Sequence, residues 1–297
     1  MLEFKPITLE DKQWIAPLLA QSDFNGCDYS FNGNFLWRKI HRIQVARFED
    51  FYIVRTGEKP YRFVFPAGSG NLKAVMDELS AYCRSQGQEL ALWCVNAQSR
   101  ALLEKELPGR FVFTEDRDVF DYVYHTEDLA SLKGKKYHSK RNFVNRFLEQ
   151  NAGRWTYEPM TPENLDDCRR MSLAWCQQNN CLQDDSKQKE NCALNAAFDY
   201  FTDLGLQGGL LRIDGEVVAF TIGEPLNTNT YHVMFEKAFA DVPGAYPMIN
   251  QQFVQHACTG YAYVNREDDA GAEGLRTAKL SYKPAFLVEK YIAKEQL

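Results

Sequence analysis

The sequence lacks the features of a membrane-spanning or secreted protein. Its longest stretch without an acidic, lysine or arginine side chain covers residues 242–265, and Pro243 and Pro247 interrupt it. Such a segment cannot form the continuous apolar helix that crosses a bilayer. The first residues carry acids and lysines instead of an apolar signal core. The sequence therefore predicts a cytoplasmic protein with no transmembrane segment.

The short motifs of metal-dependent and serine hydrolases are also missing. The eight cysteines include no C-x-x-C pair, and the spacing of those between residues 168 and 192 matches no common zinc pattern. The five histidines include no H-x-x-x-H pair, and the chain has no G-x-S-x-G elbow. We therefore predict no metal site and expect the cysteines to be structural thiols.

The composition is that of an ordinary globular protein of about two domains. The chain has 297 residues, of which 45% are hydrophobic and 25% charged, and its net charge is −6. This balance excludes a uniformly basic, nucleic-acid-binding surface. A local basic patch is present, because residues 131–147 contain no acid and six cations: Lys133, Lys135, Lys136, Lys140, Arg141 and Arg146.

The basic segment admits two interpretations. If it is helical, Lys136, Lys140, Phe143 and Phe147 fall on one face. A lysine pair that continues an aromatic stripe favours cations directed at a cleft, where they would bind phosphates of a nucleotide, a tRNA end or a phospholipid head group. The alternative is a solvated connecting helix whose lysine stems cover apolar surface.

A weak internal repeat divides the chain. Proline, threonine and glutamate recur in the same register near residues 6–10 and 159–163. After each copy the predicted elements follow a similar order of helices, a hairpin, a strand, a glycine-containing loop, a helix and further strands. This order resembles the GNAT acyltransferase fold. We predict an α/β protein with mixed sheets, built as a tandem duplication of a GNAT-like fold, with domains at 1–130 and 154–297 and a basic inter-domain segment at 131–153.

Two further stretches carry a family resemblance. The segment from Asn265 to Gly271 that leads into 274–284, and the basic run at 133–142, resemble a bacterial family of tandem-GNAT proteins. These are related to the C-terminal domain of phosphatidylglycerol lysyltransferase and more distantly to Fem-type aminoacyltransferases. The resemblance implies a transferase that uses acyl-CoA or aminoacyl-tRNA as donor substrate, with no tightly bound cofactor.

The loop at 241–247 is a candidate anion site. It follows a predicted strand and opens a predicted helix, so the backbone N–H groups of Gly244, Ala245, Tyr246 and Met248 could bind phosphate. The alternatives are a plain strand-to-helix turn, or a role for the corresponding glycine-containing loop at 66–71.

Charged residues cluster at the end of the last buried strand. Transfer to an amine needs a base and a proton donor for the leaving group, so we name Glu267, Asp268, Asp269 and Tyr282 as candidate catalytic residues. Lys136, Lys140, Arg276 and Lys279 join the loop residues as candidate donor-binding groups. The alternative is a network of ion pairs that fixes the last helix to the sheet.

The sequence thus predicts an acyl- or aminoacyl-transferase that acts on an amine or hydroxyl. Its expected partners are a small-molecule or lipid head-group acceptor and tRNA, the latter through residues 133–146. The rival prediction is a catalytically inactive tandem-GNAT module that senses a phosphorylated metabolite or a partner. Turnover separates the two.

Overall fold

A computed structural model describes residues 2–296. The helices are α1 (Lys12–Ser22), α2 (Phe31–Leu36), α3 (Leu72–Ser85), α4 (Ala97–Glu106), α5 (Thr126–Ser131), α6 (His138–Gln150), α7 (Leu165–Gln178), α8 (Asp185–Asp199), α9 (Phe201–Leu204), α10 (Ala245–Ala257) and α11 (Glu273–Leu280). The strands are β1 (Lys5–Pro6), β2 (Gln44–Phe48), β3 (Phe51–Thr56), β4 (Arg62–Val64), β5 (Ala67–Gly68), β6 (Ala91–Asn96), β7 (Phe111–Glu115), β8 (Asp121–His125), β9 (Trp155–Pro159), β10 (Gln207–Ile213), β11 (Glu216–Pro225), β12 (Thr230–Ala238), β13 (Tyr263–Asn265), β14 (Phe286–Val288) and β15 (Lys290–Glu295).

The strands form two mixed sheets, which confirms the predicted α/β class. The first has the order β1-β2-β3-β4-β6-β15-β7, with β5 paired to β3, and the second has the order β14-β8-β13-β12-β11-β10-β9. Each contains a parallel pair, β4 with β6 in the first sheet and β12 with β13 in the second. In the described part of the chain, no helix is long and apolar enough to cross a bilayer.

The chain divides into two compact units that are not continuous in sequence. Unit 1 contains the residues up to Asp121, Asp268–Arg276 and the chain from Leu287 onward, whereas unit 2 contains Tyr122–Glu267 and Thr277–Phe286. This differs from the predicted split at 1–130 and 154–297. The reason is strand exchange: the C-terminal β15 lies between β6 and β7 in the first sheet, and β8 joins the second sheet.

In unit 2, two sets of helices pack on the sheet. Helix α10 lies against β10, β11 and β12, and α7 lies against β11 and β12. The residues Ala245, Met248 and Ile249 of α10 are buried at helical spacing, together with Phe147 of α6. Burial of this shared apolar face fixes α6 and α10 relative to the sheet.

The cysteine prediction needs one correction. Cys176 and Cys181 form a disulfide between the last turn of α7 and the short 3₁₀ turn that follows it. Cysteine spacing in sequence could not indicate this pair, because the turn at Asn179 and Asn180 brings the two residues together.

Candidate functional site

The parallel strands of unit 2 separate at one point, and two charged residues lie just beyond it. Pairing of β12 with β13 ends at His232 and Asn265. β12 continues through Glu236 to Ala238, while Arg266 follows directly after β13. Arg266 Nη2 lies 2.8 Å from Glu236 Oε1, and the two side chains are only 12% and 11% exposed. A nearly buried ion pair therefore closes the gap between the diverging strands.

Helix α10 supplies a third polar group. Asn250 Nδ2 donates to the second oxygen of Glu236, Oε2, at 3.2 Å. Thr221 lies directly opposite Glu236 on the neighbouring strand β11, so the two side chains share one face of the sheet. Both oxygens of Glu236 are thus held by donors from two different elements.

Three buried polar atoms around Glu236 have no hydrogen-bond partner among the residues that the structure describes. They are Thr221 Oγ1, Asn250 Oδ1 and Arg266 Nη1. Unsatisfied buried polar atoms are uncommon in folded proteins because each costs about 1–3 kcal/mol. Three of them beside one ion pair leave hydrogen-bonding capacity that a polar ligand could use.

Tyrosine rings and a lysine surround the guanidinium group. The Arg266 guanidinium carbon lies 4.9 Å from the ring centre of Tyr282 and 5.8 Å from that of Tyr124. Lys140 Nζ, from α6, lies 4.0 Å from the Tyr282 ring centre. Lys140 and Tyr282, both named from the sequence, therefore meet at the same place.

Burial and neighbouring charges shift the pKa values of Tyr282, Lys140 and Arg266. Burial raises the pKa of Tyr282, so its hydroxyl keeps its proton at neutral pH. Burial and the nearby positive charge of Arg266 lower the pKa of Lys140. For Arg266, burial lowers the pKa but the charge of Glu236 and the tyrosines raise it by more, so the net shift is upward. The site offers a permanent cation, a phenol donor and an amine that loses its proton more easily than usual.

A second charged group lies where the strands part. His232 is buried, with Nε2 2.8 Å from Glu267 Oε1 and Nδ1 3.6 Å from Glu224 Oε1. Burial lowers the pKa of His232, but Glu224 and Glu267 raise it by more, to about 10. The imidazole is therefore a cation at neutral pH, held between two carboxylates.

The three acids of the predicted cluster do not lie together. Glu267 belongs to unit 2 and contacts His232. Asp268 and Asp269 belong to unit 1, where Asp268 accepts a hydrogen bond from the backbone of Ala270 at 2.9 Å. The prediction grouped them by adjacency in sequence, but the chain passes from one unit to the other at this point.

Asp269 is an ion-pair residue. Its carboxylate is fully buried, and the Arg276 guanidinium donates to both of its oxygens at 2.8 Å. Arg117 Nη1 lies 3.5 Å away, and Arg276 also binds Asp118 at 2.7 Å. These contacts agree with the alternative interpretation of Asp269 and Arg276 as members of an ion-pair network. Lys279 lies apart from them in unit 2, where it donates to the backbone oxygen of Arg266 at 2.6 Å.

The glycine loop before α10 is shaped by packing. Gly244 has φ = 83°, and a Cβ there would lie 2.1 Å from the backbone oxygen of Phe143. The N–H of Ala245 donates to Val242 and that of Met248 donates to Gly244. Two of the four amides predicted to bind phosphate therefore already have partners.

The Tyr246 side chain is partly buried, and burial raises its pKa. Hydrogen bonds with the backbone of Ala238 and with Trp175 make this rise smaller.

The basic segment forms α6 and the short 3₁₀ turn before it. Lys136 pairs with Asp128 at 2.9 Å on the surface, so it does not continue the stripe of Lys140 toward the cleft. Phe147 is fully buried whereas Phe143 is 41% exposed. Lys135 on the turn and Lys133 just before it are exposed. The segment is thus divided between one inward lysine and a solvated basic surface.

One cluster in the described residues has the composition of a metal site. Ligand atoms of Cys27, Asp28 and Asp121 in unit 1 lie within 4.8 Å of one another. The buried ammonium of Lys290 lies 2.6 Å from Asp28 and 2.7 Å from Asp121. Because a lysine cation already neutralises these carboxylates, we interpret the cluster as a buried ion-pair network.

Sequence reasoning missed the central residues of this site: Thr221, Glu236, Asn250 and Arg266. Arg266 stood inside the motif that carried the resemblance, and Glu236 directly follows the apolar run at 233–235. A charged residue at the end of an otherwise buried strand was the available signal for each.

Comparison with known proteins agrees with this architecture. The family model described as phosphatidylglycerol lysyltransferase, C-terminal, matches residues 19–294. The chain belongs to this family. Among curated proteins, an uncharacterised protein of Mycoplasmoides gallisepticum is 25% identical over 174 residues, which cover 59% of this chain and 56% of that relative. The match therefore spans little more than half the length of the curated relative.

Solved structures extend the comparison. A conserved protein of unknown function from Bacteroides thetaiotaomicron is 41% identical, covers all of both chains and has a TM-score of 0.95. The C-terminal domain of a putative lysylphosphatidylglycerol synthetase from Agrobacterium fabrum is 15% identical, with 97% and 92% coverage and a TM-score of 0.68. FemX is 10% identical, with 99% and 97% coverage and a TM-score of 0.60. The last two show the shared fold.

Proposed function

We propose that unit 2 transfers an aminoacyl group from aminoacyl-tRNA to a hydroxyl or amine. The observation that carries the proposal is the buried Arg266–Glu236 pair with three unpartnered polar atoms around it. Membership of the lysyltransferase family and the Fem-like fold support the transferase class. The donor, the acceptor and the catalytic roles below are our proposals.

The polar groups favour an aminoacyl donor over a simple acyl donor. The carboxylate of Glu236, Asn250 Oδ1 and Thr221 Oγ1 all accept hydrogen bonds, which suits the α-ammonium group of an amino acid. Arg266 Nη1 is a donor, and it suits the ester carbonyl next to that ammonium. An acetyl or fatty acyl group would leave the buried acceptors unsatisfied, which disfavours acyl-CoA.

The chemistry can be assigned to three side chains. The acceptor oxygen or nitrogen attacks the ester carbonyl, and Lys140 in its neutral form takes the proton that the acceptor loses. The negative charge that develops on the carbonyl oxygen is stabilised by Arg266. The bond to the ribose oxygen of the tRNA then breaks, and Tyr282 donates its proton to that leaving oxygen. Lys140 and Tyr282 exchange protons with solvent to restore the starting state.

The exposed part of the basic segment suits the phosphates of tRNA. Lys133 and Lys135 are solvated and have no acidic neighbour in sequence. Their contribution should depend on salt, because binding releases counterions from the nucleic acid. The acceptor is then a lipid head group or a small molecule that reaches Lys140 with a hydroxyl or amine.

A transfer assay with matched variants tests the proposal. The probes are tRNAs charged with radiolabelled amino acids, beginning with lysine, and vesicles of phosphatidylglycerol together with small amine acceptors. We expect Arg266→Lys and Glu236→Gln to lower turnover on the order of 100-fold. The controls are Arg110→Lys and Glu295→Gln, which alter an ion pair of similar burial in unit 1, with side chains 19% and 10% exposed.

The outcomes separate enzyme from binding module. Equal losses in the control pair would trace the effect to general stability. Tight binding of the charged tRNA with no product from any acceptor would instead favour the catalytically inactive module.

A further inference from the structure

His232 occupies the last position at which β12 and β13 still run side by side. Its register partner is Asn265, and beyond this pair the strands diverge toward Glu236 and Arg266. The imidazole is 1% exposed, and its Nε2 contacts Glu267 Oε1 at 2.8 Å. A side chain of β12 thus reaches across the point of separation and holds the residue next to Arg266.

The turn that carries Arg266 is held from several directions. Glu267 has φ = 56°, a left-handed conformation that is uncommon for a residue with a side chain. Its N–H donates to Asn265 Oδ1 at 2.7 Å, and Lys279 donates to the Arg266 oxygen at 2.6 Å. The backbones of Arg266 and Glu267 also bond to Tyr122 at 3.0 and 3.1 Å.

These contacts differ in which part of the sheet they use. The hydrogen bonds with Tyr122 hold the turn to β8, and the hydrogen bond from Lys279 holds it to α11. The hydrogen bond to Asn265 lies within the turn itself. The His232–Glu267 contact instead joins the turn to β12, the strand that bears Glu236. This contact therefore fixes how far the turn lies from β12, and with it the distance between the Arg266 and Glu236 side chains.

We propose that His232 is a positioning residue: by holding Glu267, it aligns the Arg266 guanidinium with Glu236 at the opening between the strands. Its importance for catalysis rests on the proposed function, whereas the alignment of Arg266 does not. Misplacement of a reacting or stabilising group by about 1 Å can cost on the order of 100-fold in rate. Glu224 lies on the other side of the imidazole, with its Oε1 3.6 Å from Nδ1, so a second carboxylate faces the ring without a hydrogen bond to it.

The alignment can be measured without any substrate. The full chain is labelled with ¹⁵N,¹³C-arginine, the Arg266 side-chain resonances are assigned with Arg266→Lys, and exchange of the guanidinium protons with solvent is recorded. We expect His232→Gln to speed exchange at Arg266 by about tenfold or more, because the ion pair opens more often. Arg110, paired with Glu295 in unit 1, is the internal control and should not change.

A second variant guards against a folding defect. Glu267→Gln keeps the size of the side chain and removes its charge, so it should produce the same change at Arg266 while His232 is still present. In the double variant His232→Gln/Glu267→Gln the second change should add little, since both act on one contact. A normal circular-dichroism spectrum and an unchanged Arg110 signal identify folded variants.

The results have distinct meanings. Wild-type exchange at Arg266 in both folded single variants would overturn the positioning role, and His232 would then be only a buried structural charge. Faster exchange at Arg266 supports the role even if the wild-type protein transfers no amino acid, an outcome that would defeat the proposed function alone. If transfer is observed, His232→Gln should lower kcat on the order of 100-fold with a smaller change in KM.

Discussion

The charged state of His232 predicts how the stability of unit 2 depends on pH. The perturbation is His232→Gln, which replaces the imidazolium between Glu224 and Glu267 with a group that does not titrate. The pKa of His232 is about 10 in the folded protein, against an ordinary value of 6.5. A raised folded pKa gives a stabilising contribution that is complete below the unfolded pKa and is lost as the pH rises through the folded pKa.

The size of the effect follows from the difference between the folded and unfolded pKa values of His232. The whole contribution is about 4–5 kcal/mol, since each tenfold change in proton affinity corresponds to about 1.4 kcal/mol. Between about pH 7.5 and pH 9.5 the wild-type protein should lose about 2–3 kcal/mol of unfolding free energy that the variant does not lose. Below about pH 6 the contribution of His232 protonation is constant, so the comparison is made in the alkaline range.

The assay is urea unfolding at a series of pH values, followed by tryptophan fluorescence, with the wild-type and variant curves subtracted at each pH. Subtraction removes the contributions of titrating groups that do not contact His232, because both proteins contain them in the same surroundings. Parallel curves across the alkaline range would refute the reasoning, because they would mean that His232 is already neutral in the folded protein. Glu224→Gln should move the alkaline loss to lower pH, since one of the two carboxylates that raise the pKa is gone.

Two further predictions concern residues that were named from the sequence. Gly244→Ala should destabilise the protein by more than about 2 kcal/mol, because the new Cβ would meet the backbone of Phe143 and φ is positive. Gly87→Ala is the control, because φ of Gly87 is also positive but no atom lies within 4 Å of the added Cβ. This change should cost about 1 kcal/mol. Equal losses of stability in thermal unfolding of the two variants would argue against the packing role of Gly244. Asp269→Asn should lower the free energy of unfolding by about 3 kcal/mol, because it breaks a buried ion pair. Asp268→Asn should lower it by less than about 1 kcal/mol. If urea unfolding shows a larger loss for Asp268→Asn than for Asp269→Asn, Asp269 is not a structural residue.

The order of elements could be predicted from the sequence because it depends on local patterns. The apolar periodicity of α3 and the apolar run of β6 are local patterns of this kind. Strand exchange could not be predicted, because it depends on which strands β15 and β8 pair with: β15 lies between β6 and β7, and β8 lies between β14 and β13. Local periodicity contains no information about that choice.

The site was predictable only in part, for the same reason. Tyr282 and Lys140 were named because a cation and a phenol stood in recognisable segments, and they meet at Arg266. The Arg266–Glu236 pair was missed because its members are distant in sequence and meet only where two parallel strands separate. Glu267 and Asp269 were grouped because they are close in sequence, and closeness in sequence does not show that Asp269 belongs to a different unit.

The central claim is that the space around Glu236 and Arg266 receives an aminoacyl group, and one binding measurement tests it without knowledge of the acceptor. The ligands are two stable adenosine amides, one bearing a lysyl group at the 3′ position and one bearing the same chain without its α-amino group. We predict that calorimetry will show at least about tenfold tighter binding of the lysyl compound, and that Glu236→Gln will remove this preference while Glu295→Gln retains it. Equal affinity of the wild-type protein for the two compounds would contradict the claim.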